Sequence, residues 1–167
     1  VLASSIWINP VAKGVPEITK SETMQQIRDL VKEDPKAIWL VVDMAYPATN
    51  IPAMAGADCL NTTQTYPQKT RWEMLDQEGE CEDIYNRYCH IRASLGSKTM
   101  LELVSTDYVE VTLSPEDLKK LNIRYIVSTN DFDERIAAGT TNIFTDSGIE
   151  FQKYYEGTQL SIYGCVY

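Results

Sequence analysis

Basic side chains are scarce in this 167-residue sequence: 15 Lys and Arg stand against 24 Asp and Glu, a formal net charge of −9. That field repels phosphate backbones and anionic headgroups, so nucleic acid is not an expected partner. Long apolar runs are missing as well. None reaches the ~20 residues that span a bilayer, and the stretch from Val1 to Ile8 has neither the basic start nor the length of a secretory leader. A single histidine, His90, cannot build a His-rich zinc hydrolase centre. Cysteine is sparse: Cys59, Cys81, Cys89 and Cys165 contain no Cys-x-x-Cys pair, which disfavours both zinc and a disulfide-dense scaffold. Free thiols and one bridge, with Cys81 and Cys89 nearest in sequence, both stay open. The nucleotide-binding Gly-x-Gly-x-x-Gly and the nucleophile elbow Gly-x-Ser-x-Gly are absent. Gly96-Ser97-Lys98-Thr99 imitates the end of a phosphate loop without its preceding glycine. No cofactor and no metal are expected.

What is present describes a packed domain. With 44% hydrophobic and 23% charged residues, the chain is ordinary globular material of a size for one core, so residues 1–167 read as a single domain. The ends, which lack an initiating methionine and stop directly after a strand-like run, read as boundaries of a domain within a larger protein.

Local patterns give an element order. Residues 4–9 suit a short strand closed at Asn9-Pro10, followed by a loop with Gly14 and Pro16. Ser21 is a good N-cap, and Met24, Ile27, Leu30 and Val31 share one face of a helix that must end before Pro35. Residues 37–43, Ala-Ile-Trp-Leu-Val-Val-Asp, have the uninterrupted apolar character of a strand buried on both faces, which calls for helices on both sides. Pro47, Pro52 and Gly56 make 45–58 a loop without a long helix. A short helix is expected over 69–77, with Trp72 and Leu75 inward, then an acidic turn to Asp83. Residues 83–94 fit helix and strand equally. Strands follow over 99–104 and 108–113; Ser114-Pro115-Glu116-Asp117 opens a helix, and 123–128 is another buried strand. Residues 130–134 read as a solvated loop, and 151–155 with 160–166 as a closing hairpin around Glu156-Gly157. The expected fold is α/β: a mixed sheet with helices packed on both faces and a C-terminal β-hairpin.

No residue pattern completes a catalytic centre. His90 is the one side chain with an ordinary titration point near neutrality, but neighbouring Cys89 would point away from it in a regular element. Asn130, Asp131, Asp133 and Glu134 offer oxygen ligands without the glycine and final glutamate of an EF-hand loop. A further group, Asp43, Asn50, Asn61, Tyr66, Trp72, Asn86 and Arg87 together with His90, has the amides, charges and flat rings that a polar, ring-shaped ligand such as a sugar requires. The same residues also read as core aromatics, turn formers and surface ion-pair partners.

Three stretches carry a resemblance. Leu113-Ser-Pro-Glu-Asp-Leu-Lys-Lys-Leu-Asn-Ile-Arg-Tyr-Ile-Val-Ser128 is a helix followed by a buried strand. Phe151-Gln-Lys-Tyr-Tyr-Glu-Gly and Leu160-Ser-Ile-Tyr-Gly164 form a closing hairpin, and Trp72-Glu-Met-Leu-Asp76 pairs with Tyr85-Asn-Arg-Tyr-Cys-His-Ile91 in the middle. These resemble the soluble C-terminal regions of bacterial polytopic membrane glycosyltransferase-like proteins of the GT-C type, over about a third of the chain. The resemblance implies a non-catalytic domain at the extracytoplasmic face of the cell membrane, accessory to cell-envelope glycan or lipid-linked sugar transfer. Its partners would be the membrane-embedded portion of the parent protein and the glycan itself. Catalysis in that family belongs to a loop between membrane spans, so no catalytic residue carries over. A secreted hydrolase using Asp43 and His90, and a purely structural or partner-binding module, are the alternatives.

Overall fold

A computed structural model describes residues 19–129 and 131–167. The expected strand over 4–9, its following loop and Asn130 lie outside the described residues.

The first helix, α1 (Glu22–Glu33), starts where the sequence places it: the Ser21 hydroxyl accepts a hydrogen bond from the Met24 amide, and Met24, Ile27 and Leu30 are buried. Pro35 and the extended Asp34 end it. The apolar run then forms β1 (Ile38–Val41). The loop after β1 contains one 3₁₀ turn (Ala48–Asn50), a single-turn helix α2 (Ile51–Met54) and two short strands, β2 (Asp58–Cys59) and β3 (Thr63–Gln64). Next come α3 (Lys69–Leu75) and α4 (Glu82–Tyr85), then β4 (Cys89–Leu95), β5 (Met100–Ser105) and β6 (Tyr108–Leu113). The undecided stretch 83–94 is therefore a helical turn followed by a strand. Helix α5 (Pro115–Lys120) has Ser114 as N-cap, bonded to the Asp117 amide, and leads into β7 (Ile123–Ser128). Helices α6 (Asp131–Ala137) and α7 (Asn142–Asp146) precede the hairpin of β8 (Glu150–Glu156) and β9 (Ser161–Val166).

One expectation is overturned here. Residues 131–134 are the first turn of α6 rather than a solvated loop, because Phe132 is buried in the core and Asp131, Asp133 and Glu134 complement the positive end of the helix.

The α/β class and the terminal hairpin hold, with the strands divided between two mixed sheets. The larger has five strands in the order β2-β1-β7-β9-β8 and the smaller four in the order β3-β4-β6-β5. In the larger, β1 runs parallel to β2 and β7, while β9 is antiparallel to both β7 and β8. In the smaller, β4 and β6 are parallel and β3 and β5 antiparallel to them. The sheets meet where β1 runs out: Val42 bridges Ala93, and the Asp43 amide donates to the Ala93 carbonyl at 2.8 Å.

The central strands of the larger sheet are covered on both faces, while the edge strand β8 is largely exposed. Trp39, Val41, Tyr125, Val127 and Ile162 pack against Ile27 and Leu30 of α1. On the opposite side Leu40, Val42, Ile126 and Tyr163 join Leu118, Leu121, Phe132 and Phe144. The same cluster takes in Cys89, Ile91, Ala93, Val109 and Val111 of the smaller sheet. Burial alternates strictly along β4 and β6, so among the described residues the other face of these strands is left half-buried rather than packed into a core.

Candidate functional site

The open face of the smaller sheet organises the site. On β4 the residues directed away from the core are His90, Arg92 and Ser94; on β6 they are Tyr108, Glu110 and Thr112. Strand register sets them in rows, since cross-strand partners share a face. Thr63, His90 and Tyr108 form the first row; Arg92, Glu110 and Glu102 the second; Ser94, Thr112 and Met100 the third. Contacts across the strands match the rows: Arg92 Nη1 lies 3.1 Å from Glu110 Oε1, and the Ser94 and Thr112 hydroxyls are 3.1 Å apart.

The first row is tied to the loop after β1. The Thr63 amide donates to Asn50 Oδ1 at 2.9 Å, and Asn50 Nδ2 donates to the Thr63 hydroxyl at 3.0 Å. The backbone donor settles which end of the Asn50 carboxamide is oxygen. The Thr63 hydroxyl lies 3.0 Å from His90 Nδ1. When that hydroxyl donates to the neutral imidazole, the ring proton sits on Nε2, which has no hydrogen-bond partner among the described residues. Tyr46, from the same loop, lies over His90 with ring centroids 4.1 Å apart at 32°; Tyr88 meets it edge-on at 5.6 Å and 74°. Both tyrosines are half exposed, at 50% and 51%. A half-exposed aromatic rim around the His90 ring thus closes one end of the sheet face.

The residues expected from sequence to gather around a ligand are distributed differently. Asn50 and His90 come together, joined through Thr63. Asn61 is fully buried: its Oδ1 accepts from the Val41 amide at 2.8 Å and its Nδ2 donates to the Val41 carbonyl at 2.7 Å. It prolongs the ladder on β1 beyond the end of β2, so neither end of its amide is left for a ligand. Trp72 is buried too, donating to Gln64 Oε1 at 2.7 Å and stacking on Tyr85 at 5.9 Å. Its apolar bulk belongs to the core beneath the sheet. Asp43, at a left-handed φ of 58°, is paired with Arg135. Asn86 donates to Glu82, and Arg87 donates to the carbonyls of Asp83 and Thr106. Tyr66 is 85% exposed and lines a small pocket with Thr62, Thr63 and Gln68.

Sequence reading missed Tyr46, Thr63, Tyr88, Arg92 and Glu110. A usable signal existed for Arg92: Cys89-His-Ile-Arg-Ala-Ser-Leu95 alternates apolar and polar residues throughout, the signature of a half-buried strand.

Elsewhere several ionisable groups are engaged or suppressed. All four cysteines are free. Burial pushes the Cys59 and Cys165 thiols up to about 12 and Cys89 up to about 11. None of these three is a ready thiolate nucleophile. At Asp133, burial acts to raise the carboxyl, but hydrogen bonds from Lys153 and Tyr163 outweigh it and leave it below its ordinary value. Ser97, Lys98 and Thr99 border a groove of about 560 Å³ with Ser114, Glu116 and Ile143. Among the described residues no cluster of His, Cys, Asp and Glu has the spacing to hold a metal ion, and no helix is long and apolar enough to cross a membrane.

A family model for a domain of unknown function, DUF7654, matches residues 17–167. The chain belongs to the DUF7654 family. No curated protein and no solved structure matches it. In this DUF7654 chain the matched region takes in both sheets, and with them every residue of the open face.

Proposed function

We propose that this DUF7654 domain is a non-catalytic, glycan-binding accessory domain on the extracytoplasmic side of a membrane protein of the glycosyltransferase-like type. The observation that carries the reading is the half-exposed pair Tyr46 and Tyr88 around His90, held by Asn50 and Thr63 at the end of an uncovered sheet face. Sugar rings present apolar C–H faces and a rim of hydroxyls, and such a surface offers a stacking platform and hydrogen-bonding groups in one place. The resemblance of the 113–128 segment and the closing hairpin to domains of membrane glycosyltransferase-like proteins supports the context.

Hydrolysis by Asp43 and His90 is the weaker reading. A general base needs an orienting partner and a reachable proton; here the Asp43 carboxylate is paired with Arg135, and the His90 ring is bound to a threonine hydroxyl.

The test is binding to an array of cell-envelope glycans by the 167-residue chain and by its Tyr46→Ala and Tyr88→Ala variants, with thermal melts as the control for folding. Loss of binding by folded variants is the expected result. Unchanged binding, or none by the parent chain, would overturn the proposal. For the membrane context, a complete reading frame with several hydrophobic spans beside this domain supports it, and a stand-alone secreted frame sinks it.

A further inference from the structure

The aromatic rim is one end of a longer surface, and the rest of that surface bears on which glycan it suits. Resting on the glycan-binding reading above, we infer that the open face of the smaller sheet takes an extended oligosaccharide carrying free amines, accepts neutral sugars less tightly, and rejects polyanionic ones.

Extent comes from the strands. From His90 to Ser94 the face spans four residue-to-residue steps along β4, about 13 Å at the usual rise per residue. That exceeds a single hexose. Its rows differ in chemistry along that length: aromatic and imidazole at the Tyr46 end, an ion pair in the middle, and the Ser94–Thr112 hydroxyl pair at the far end. An oligosaccharide laid along β4 meets a stacking platform first, then charged groups, then hydroxyls. The Arg92 and Glu110 side chains remain 43% and 40% exposed, so both keep hydrogen-bonding capacity beyond their mutual contact.

Sign comes from the middle row. Glu110 and Glu102 are direct cross-strand partners, an arrangement of like charges that ordinarily costs stability. Arg92 pairs with Glu110, and Glu102 has no cationic partner among the described residues. The row therefore holds two carboxylates against one guanidinium. At the aromatic end the Arg87 guanidinium is turned to the backbone carbonyls of Asp83 and Thr106. An ammonium group over Glu102 relieves the unpaired charge, whereas a uronate or phosphate there adds to the repulsion of a chain already at −9.

Three ladders of soluble oligosaccharides, each from dimer to hexamer, test this by calorimetry on the 167-residue chain: glucosamine, N-acetylglucosamine and galacturonate. Affinity is expected to rise from dimer to tetramer and to fall in the order amine, N-acetyl, uronate. Glu102→Gln should erase the preference for amine over N-acetyl, a change of about two- to fivefold for an exposed charge pair. Equal binding of uronate and amine, affinity that does not grow past the dimer, or an unchanged preference in a folded Glu102→Gln variant each overturns the inference. If the ladders bind but Tyr46→Ala leaves all of them unaffected, the aromatic-rim reading fails while the charge rule survives. Absence of binding by all three ladders overturns both.

Discussion

The two sheets of this domain are joined by a bridge, yet their central strands differ: among the described residues those of the larger are packed on both faces and those of the smaller on one. β1 carries Trp39 and Val41 into one cluster and Leu40 and Val42 into the other, so this central strand is packed on both faces. β4 buries Cys89, Ile91, Ala93 and Leu95 and leaves His90, Arg92 and Ser94 outside. The contrast is written in the chain as an unbroken apolar run against strict alternation. It places the proposed glycan surface where helices stop covering the sheet. In the familiar α/β arrangement the ligand sits at strand ends; here the loop leaving the end of β1 instead supplies Asn50 and Tyr46 to the edge of a neighbouring sheet face.

If the contrast is real, the covered and open faces must respond differently to substitution. The largest effect is expected beneath the smaller sheet. Trp72→Ala removes a fully buried ring together with its bond to Gln64, and should cost about 3–5 kcal/mol in urea denaturation. Asn61→Ala comes next. It leaves the Val41 amide and carbonyl inside the protein without their partners, an expected loss of roughly 2–4 kcal/mol. A loss under about 1 kcal/mol for either would show that the site relaxes or admits water, and that covering is less complete than burial implies.

Much of this architecture can be read locally, and what cannot has a physical cause. Helix α1 is specified by Ser21, by the spacing of Met24, Ile27 and Leu30, and by Pro35, all within one stretch of chain. The division into two sheets is not local: Ile38 pairs with Ile123, and nothing near either residue announces the other. The site shows the same limit. Asn50 and His90 were recognisable by type, but Thr63, which joins them, lies in a two-residue strand too short to carry a pattern. Residue type also cannot separate an amide that serves a ligand from one that serves the backbone, which is why Asn61 was grouped with them. Helix α6 was hidden by composition, since acids that stabilise a helix start also typify a solvated loop.

Alkaline pH probes the covered interior of both sheets at once, Cys59 and Cys165 lying in the larger and Cys89 under the smaller. Burial raises these thiols from 9.0 to about 12, 12 and 11. In the unfolded chain they lose protons near the lower value, so between about pH 9 and 11 the folded state binds more protons than the unfolded one. The stability they contribute is complete below that window and declines as pH rises through it. Melting temperature should fall from pH 9 to 11, with a shallower slope in Cys165→Ala. A slope identical to the parent's would mean that this thiol ionises freely in the folded protein.

The smallest effect belongs to the open face, and it is the most discriminating. Arg92→Ala and Glu110→Gln each break an ion pair whose members are 43% and 40% exposed, and each should change stability by no more than about 0.5 kcal/mol. The two substitutions should also be close to additive in a double-mutant cycle, because solvent screens the pair. Both variants should nevertheless weaken oligosaccharide binding, since their polar groups lie midway between the aromatic and hydroxyl ends of the surface. A stability loss of several kcal/mol at either residue would place the pair in a buried setting and end the distinction between the faces. Unaltered binding by both folded variants would confine any ligand to the Tyr46–His90 end, leaving the rest of the face as ordinary solvated strand.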